Sequence, residues 1–188
     1  PTADNLDRLR TEWQEWLAEQ EQPVLSRDAV EADRAALSAD GSIPNLSSIM
    51  LLVEAEGKRL QLTGDGRGDH LLEGLEKAGL LEPGGSLHVD LLKVPHHGSM
   101  RNVTPAFFQT VTADQYVISA NGRHHNPDLD TLRWIVEAAL AQERQIVILV
   151  TNATDATRRL VTERDPDTYG YELTELAPGE DSMLLALA

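Results

Sequence analysis

The decapeptide DLLKVPHHGS at residues 90–99 combines an apolar strand with a turn that carries two adjacent histidines. Pro95 ends the strand because proline has no amide hydrogen to donate to a sheet ladder. His96 and His97 follow at once, and Gly98 permits a tight turn with close backbone approach. The segment therefore predicts a buried strand that delivers imidazoles to one edge of a sheet.

Two other loops also follow predicted strands and also contain potential metal ligands. Residues 63–66 read TGDG, and residues 119–127 read SANGRHHNP. Loops at one edge of a layered α/β sheet converge in space and host functional sites. Imidazole nitrogen and carboxylate oxygen suit zinc and related divalent metals. We therefore expect the three loops to meet and to form a metal site.

The composition limits the function classes. The 188 residues carry a formal charge of −15, which opposes non-specific binding to a nucleic-acid backbone. There is no cysteine, so a transition-metal site must use histidine with aspartate or glutamate. No apolar run approaches the ~20 residues of a membrane span. No segment resembles a signal peptide, and we therefore expect a cytoplasmic chain with no membrane partner.

Strand and helix patterns alternate along the chain, which predicts an α/β layered fold. A hairpin is expected around Glu56-Gly57, because two apolar runs flank this pair. The predicted strands cover residues 48–54, 58–63, 89–94, 115–119 and 146–150, with one or two more near 169–173 and 183–187. The predicted helices cover residues 69–78, 104–110 and 128–142.

The N-terminal region has a different character. Residues 4–20 carry apolar side chains at helical spacing, which predicts an amphipathic helix packed on the body; a helix that binds a partner is the alternative. Residues 21–44 are polar and contain Pro23, Gly41 and Pro44, as expected of a linker with a short helix near residues 29–37. We therefore divide the chain into a helix and linker, 1–44, and a domain, 45–188.

The order of these segments resembles the metallo-β-lactamase superfamily, in particular the branch that includes the metallo-hydrolase domain of DNA-uptake competence proteins. The resemblance spans about residues 45–140. It implies that residues 45–188 form the C-terminal half of an αββα sandwich. The matching runs are NLSS at 45–48, LTGD at 62–65, DLLKVPHHGS at 90–99, YVIS at 116–119 and the loop of His124.

The resemblance also implies a ligand set. The aspartate of the family's G-D pair bridges two metals, which gives that role to Asp65. His96 or His97, and the late His124, are implied as further ligands, with His125 less favoured. Asp65 and His97 are the candidate catalytic residues. The competing interpretations are a helix-capping role for Asp65 and ordinary hydrogen-bonded or turn histidines. His70 and His88 are interpreted as surface or packing residues.

The implied cofactors are two divalent metal ions, zinc first and manganese as the alternative. Two such ions can share and activate a water for attack on an ester. The superfamily's main signature, H-x-H-x-D-H, is absent from this chain, and no histidine precedes Asn45. We therefore expect the metals to be held weakly by this chain alone. The expected partner is an N-terminal half of the domain, in cis or as a separate chain, and a homo-oligomer is a further expectation.

Two functions fit these observations. The first is the C-terminal portion of a dinuclear metal-dependent hydrolase that acts on a phosphodiester or another ester. The alternative is a non-catalytic interaction or regulatory module that keeps the fold without a working metal centre. Metal content distinguishes the two.

Overall fold

A computed structural model describes residues 41–177 and 179–187. One sheet contains six strands in the order β1-β2-β3-β4-β5-β6, so strands that follow one another in the chain are neighbours. The first pair is antiparallel and the other four pairs are parallel. The α/β prediction is confirmed. The strands are β1 Leu51–Ala55, β2 Lys58–Leu62, β3 Leu87–Lys93, β4 Val111–Ile118, β5 Ile146–Val150 and β6 Tyr171–Glu175.

The hairpin between β1 and β2 forms where the sequence predicts it. Glu56 and Gly57 occupy the turn with φ of 51° and 77°. Positive φ at both central residues matches the right-handed twist of the flanking strands. Each parallel pair instead needs a longer connection, and each of these connections contains at least one helix.

The described helices are α1 Ile43–Leu46, α2 Gly68–Lys77, α3 Pro105–Thr110, α4 Leu129–Ala141, α5 Asp155–Glu163 and α6 Pro166–Tyr169. The patterns for α2, α3 and α4 are confirmed, whereas α1, α5 and α6 have no counterpart among the predictions. Both predicted helices before residue 41 lie outside the described residues. Across 41–177 and 179–187, every helix is too short or too polar to cross a membrane.

Helices α2 to α5 pack on one face of the sheet. Phe107 and Phe108 of α3 are fully buried there, as are Leu132 and Ile135 of α4. Side chains of β3, β4 and β5 complete this core. Burial of large apolar side chains stabilises each by about 1.5–3 kcal/mol relative to an exposed position, so this face supplies most of the driving force.

The opposite face of the sheet is also apolar but is partly exposed. Cross-strand partners share a face, and Leu51 pairs with Leu62 while Val53 pairs with Leu60. Leu51, Val53 and Leu62 are 51%, 38% and 37% exposed. All four side chains lie outside the core that the helices cover. We call this surface the open face.

The C-terminal segment lies against the open face without joining the sheet. Gln115 of β4 points to this face, since it pairs with Leu91 of β3, which in turn pairs with Leu60. The Gln115 side chain donates a hydrogen bond to the Ala186 carbonyl at 2.7 Å. The strand predicted at 183–187 is therefore wrong: a side-chain contact, and no backbone ladder, holds this segment.

Asp90 ties β3 to β2 and gives the fold a measurable pH dependence. It accepts hydrogen bonds from the Arg59 amide at 2.8 Å and pairs with Lys58 Nζ at 3.0 Å. These contacts, the Arg59 amide first, hold the pKa of Asp90 below its ordinary 3.8. A carboxyl whose pKa falls on folding contributes stability above its unfolded pKa and loses it as the pH falls through the folded value.

We expect Asp90→Asn to weaken the dependence of unfolding free energy on pH between about pH 5 and pH 2. Urea denaturation at several pH values measures this slope. Asp181→Asn is the matched control, because Asp181 is exposed in the C-terminal segment. Equal slopes for wild type and Asp90→Asn would contradict the assignment.

Candidate metal centre

The loops after β2, β3 and β4 are in direct contact. The His96 amide donates to the Gly64 carbonyl at 3.1 Å, which joins the first loop to the second. The Asp128 amide donates to the Gly98 carbonyl at 3.0 Å, which joins the second loop to the third. The rule that strand ends of a parallel sheet meet at one edge accounts for this arrangement.

Asp65 and His97 lie side by side at this edge. Asp65 Oδ1 is 3.5 Å from His97 Nε2, and the two side chains are 39% and 45% exposed. His97 Nδ1 is 2.5 Å from the Ser119 carbonyl oxygen. A carbonyl oxygen only accepts, so Nδ1 carries the proton. In the neutral ring Nε2 then has a free lone pair directed toward the Asp65 carboxylate.

The Asp65–His97 geometry matches that of two ligands of one metal ion. Zinc binds imidazole nitrogen and carboxylate oxygen at about 2.0–2.2 Å. A separation of 3.5 Å between the two donor atoms is short enough for one such ion to contact both of them. A backbone carbonyl on the remote nitrogen is also the usual way to orient a histidine ligand.

Three consecutive residues of the histidine turn have left-handed backbones. The φ angles are 42° at His96, 56° at His97 and 79° at Gly98. A non-glycine residue in this region costs roughly 1–2 kcal/mol, so the contacts to the neighbouring loops must hold the turn in place. Strained residues of this kind cluster at functional sites.

His96 contacts other groups than the Asp65–His97 pair does. Its Nδ1 lies 3.3 Å from the Asn45 amide nitrogen, which donates, so this nitrogen is already engaged. The His96 and His97 rings are 6.0 Å apart and nearly perpendicular. His96 lines a cavity of about 410 Å³ together with His124, His125 and Asp128.

The four candidate ligands therefore fall into two groups. Asp65 and His97 form one pair, while His96 and His124 line the neighbouring cavity. Nowhere in residues 41–177 or 179–187 do three histidine, aspartate or glutamate side chains form a group that could hold a metal ion. His88 lies elsewhere, on β3, against Thr112 and Asp114.

Several further groups lie close to the Asp65–His97 pair. Lys93 Nζ donates to the Gly64 carbonyl at 2.6 Å and lies 3.9 Å from Asp65 Oδ1. Burial lowers the pKa of Lys93, and the Asp65 charge opposes this shift. Asn102 is fully buried and donates to the Asp65 carbonyl at 3.3 Å. The Ser119 contact is made by a backbone carbonyl, which no side-chain pattern reveals.

Comparison with known proteins gives a partial similarity. The chain is 32% identical over 118 residues to ComE operon protein 3 of Bacillus subtilis (strain 168). The match covers 60% of this chain but 13% of that protein, so the chain spans only a small part of this relative. No protein-family profile and no solved structure matches the chain.

Proposed function

We propose that this chain is part of a metal-dependent hydrolase of the metallo-β-lactamase type, acting on a phosphodiester or another ester. The observation that carries the proposal is the 3.5 Å approach of Asp65 to His97, whose second nitrogen is fixed by Ser119. The similarity to a competence-operon protein and the segments quoted above support the same branch. Localisation in the cytoplasm is part of the proposal.

Asp65 and His97 would hold the metal, zinc in preference to manganese, and their donor atoms fit this role. A bound pair of divalent ions would supply Lewis-acid activation of water and stabilisation of the charge that develops on the ester. The Ser119 carbonyl keeps His97 in the tautomer that such an ion requires. We prefer His97 to His96 because the Asn45 side-chain amide donates to His96 Nδ1. The proton of a neutral His96 ring then lies on Nε2, so neither nitrogen offers a lone pair to an ion. His124 is proposed as a further ligand on the resemblance alone.

The remaining ligands would come from an N-terminal half that carries the H-x-H-x-D-H signature, in cis or as a separate chain. The open face supports this partner. Leu51, Val53 and Leu62 expose contiguous apolar area on a sheet whose other face is already covered by helices. Two sheets pack face to face through such surfaces, about 10 Å apart. A second copy of this chain on the same face is the homo-oligomeric alternative.

A non-catalytic interaction module is the second candidate function. It is favoured by the lack of any group of three potential metal ligands within the part of the chain that the structure describes. In this case the open face would bind a partner, and the approach of Asp65 to His97 would be an ordinary side-chain contact without a metal-binding role.

Reconstitution distinguishes the two functions. The 188-residue chain alone is compared with the chain joined to an N-terminal segment that carries H-x-H-x-D-H. Zinc and manganese are measured by elemental analysis, and hydrolysis is followed with bis(p-nitrophenyl) phosphate. For the hydrolase we expect weak metal retention and little turnover by the chain alone, with both increased in the joined protein. A joined protein that folds but retains no metal would favour the module.

A further inference from the structure

Most basic side chains in the described ranges form ion pairs with carboxylates. These ranges contain nine arginines and three lysines, and nine of the twelve side chains form ion pairs. Such pairing is expected in a chain with a net charge of −15. Within residues 41–177 and 179–187, the exceptions are Arg101, Arg123 and Arg158.

The three unpaired arginines lie around two adjoining cavities. Arg123 and Arg158 line a cavity of about 720 Å³, and Arg101 lines the cavity of about 410 Å³ that also contains His96. Both cavities are bounded by His125, Asn126 and Asp128, so they share a wall. We call them together the arginine groove. All three side chains are exposed, so their guanidinium groups are accessible to a ligand.

The acidic residues of the groove are partly engaged. Asp128 accepts a hydrogen bond from the Met100 amide at 2.8 Å, and Asp130 pairs with Arg133 at 2.7 Å. Asp155 lies in the first turn of α5, where the helix dipole favours a negative charge. The cations without an internal partner are therefore Arg101, Arg123 and Arg158, spread over both cavities.

We propose that the arginine groove binds the phosphate groups of a phosphodiester chain, with Arg101, Arg123 and Arg158 as the contacts. This inference rests on the proposed function, since it takes the phosphodiester as the substrate class of the neighbouring site. Guanidinium groups match the geometry of phosphate oxygens and donate paired hydrogen bonds to them. Contacts spread over two cavities suit a ligand with several phosphates better than a single anion.

The net charge of the chain restricts how a polyanion could bind. A charge of −15 repels a polyanion at long range, so binding must come from local contacts. Salt screens the repulsion, but it also weakens each arginine–phosphate contact. The number of phosphates contacted can therefore be obtained from the salt dependence of the binding constant. For a single strand, each contact contributes about 0.7 to the magnitude of the slope of log K against log salt concentration.

The test uses the full 188-residue chain with EDTA, so that binding is measured independently of any metal. Fluorescence anisotropy follows a short labelled oligothymidylate, with thymidine monophosphate and inorganic phosphate as competitors. The groove variant is Arg101→Gln/Arg123→Gln/Arg158→Gln. The matched control is Arg59→Gln/Lys77→Gln/Arg164→Gln, which changes the net charge equally at ion-paired positions away from the groove. Thermal unfolding checks that both variants fold.

We expect the groove variant to bind at least about tenfold more weakly and to lose about 2 from the salt slope, corresponding to three phosphate contacts. The control is expected to change affinity less than about twofold, as its arginines and lysine are already paired. Equal losses in both variants would overturn the proposal, and so would full competition by inorganic phosphate. Zinc titration of the protein joined to an H-x-H-x-D-H segment tests the metal site separately, so failure of one proposal is distinguishable from failure of the other.

Discussion

In the protein joined to an H-x-H-x-D-H segment, Asp65→Ala is expected to weaken zinc binding by at least about 100-fold. Even residues that only orient a metal ligand contribute 10–100-fold to metal affinity. The carboxylate supplies one of the two donors that lie 3.5 Å apart, and its charge also offsets that of the ion. In the protein joined to an H-x-H-x-D-H segment, hydrolysis should fall by at least as much. Zinc affinity is measured by competition with a chromogenic chelator, and turnover with bis(p-nitrophenyl) phosphate.

A double-mutant cycle tests whether Asp65 and His97 hold the same ion. If they do, Asp65→Ala/His97→Ala weakens binding much less than the two single losses combined, because the first substitution already removes the shared site. Asp65→Ala/His88→Ala is the control. His88 lies on β3 and contacts Thr112 and Asp114 of β4, so His88→Ala should have only a small and additive effect on zinc binding. Strict additivity for Asp65 and His97 would contradict a common ion.

Much of the fold could be predicted because local patterns and tertiary packing agree. The Glu56-Gly57 turn requires positive φ at both residues and lies between two apolar runs, so the hairpin follows from the sequence. Helix α2 ends near Gly79, which has φ of 69°, as a left-handed end requires. These elements are specified by residues close together in the chain.

Other elements depend on contacts that the sequence pattern does not display. Strand β4 begins at Val111, earlier than predicted, and its ladder to β3 has no partners at Asp90 and Asp114. The core-facing positions are Val111 and Ala113 before this point but Tyr116 and Ile118 after it. The strict alternation expected of a strand is therefore broken, and the sequence pattern does not predict the first half of β4. Helix α5 is mostly polar, and it is fixed by the reciprocal side-chain and backbone bonds of Thr154 and Thr157.

The sequence predicts which loops meet at the candidate site, but not how the side chains of its two adjacent histidines are placed. Strand-end geometry brings Asp65 to His97. The two adjacent histidines nevertheless point to different surroundings, since His97 is held by the Ser119 carbonyl and His96 by Asn45. Each choice depends on a group at least 22 residues away in the chain. Such long-range contacts can be read only from the folded structure.

Gly98→Ala is expected to destabilise the fold by about 3–4 kcal/mol, combining left-handed strain with overpacking. Gly98 has φ of 79°, and an added Cβ would lie 2.8 Å from Pro127 Cβ and 3.3 Å from Pro127 Cα. The first distance is far below van der Waals contact, and the Pro127 backbone belongs to the loop whose Asp128 amide bonds the Gly98 carbonyl. Urea denaturation measures the loss.

Gly84→Ala separates the two causes. Gly84 has a similar φ of 72°, but nothing lies within 4 Å of its added Cβ, so it reports strain alone, about 1–2 kcal/mol. The excess at Gly98 is the clash with Pro127. Relief of that clash must move the turn that holds His97 relative to Asp65, so Gly98→Ala should also weaken zinc binding, whereas Gly84→Ala should not. Equal destabilisation by the two substitutions would show that the histidine turn shifts away from Pro127 at little energetic cost. The contacts to Pro127 would then not position His97.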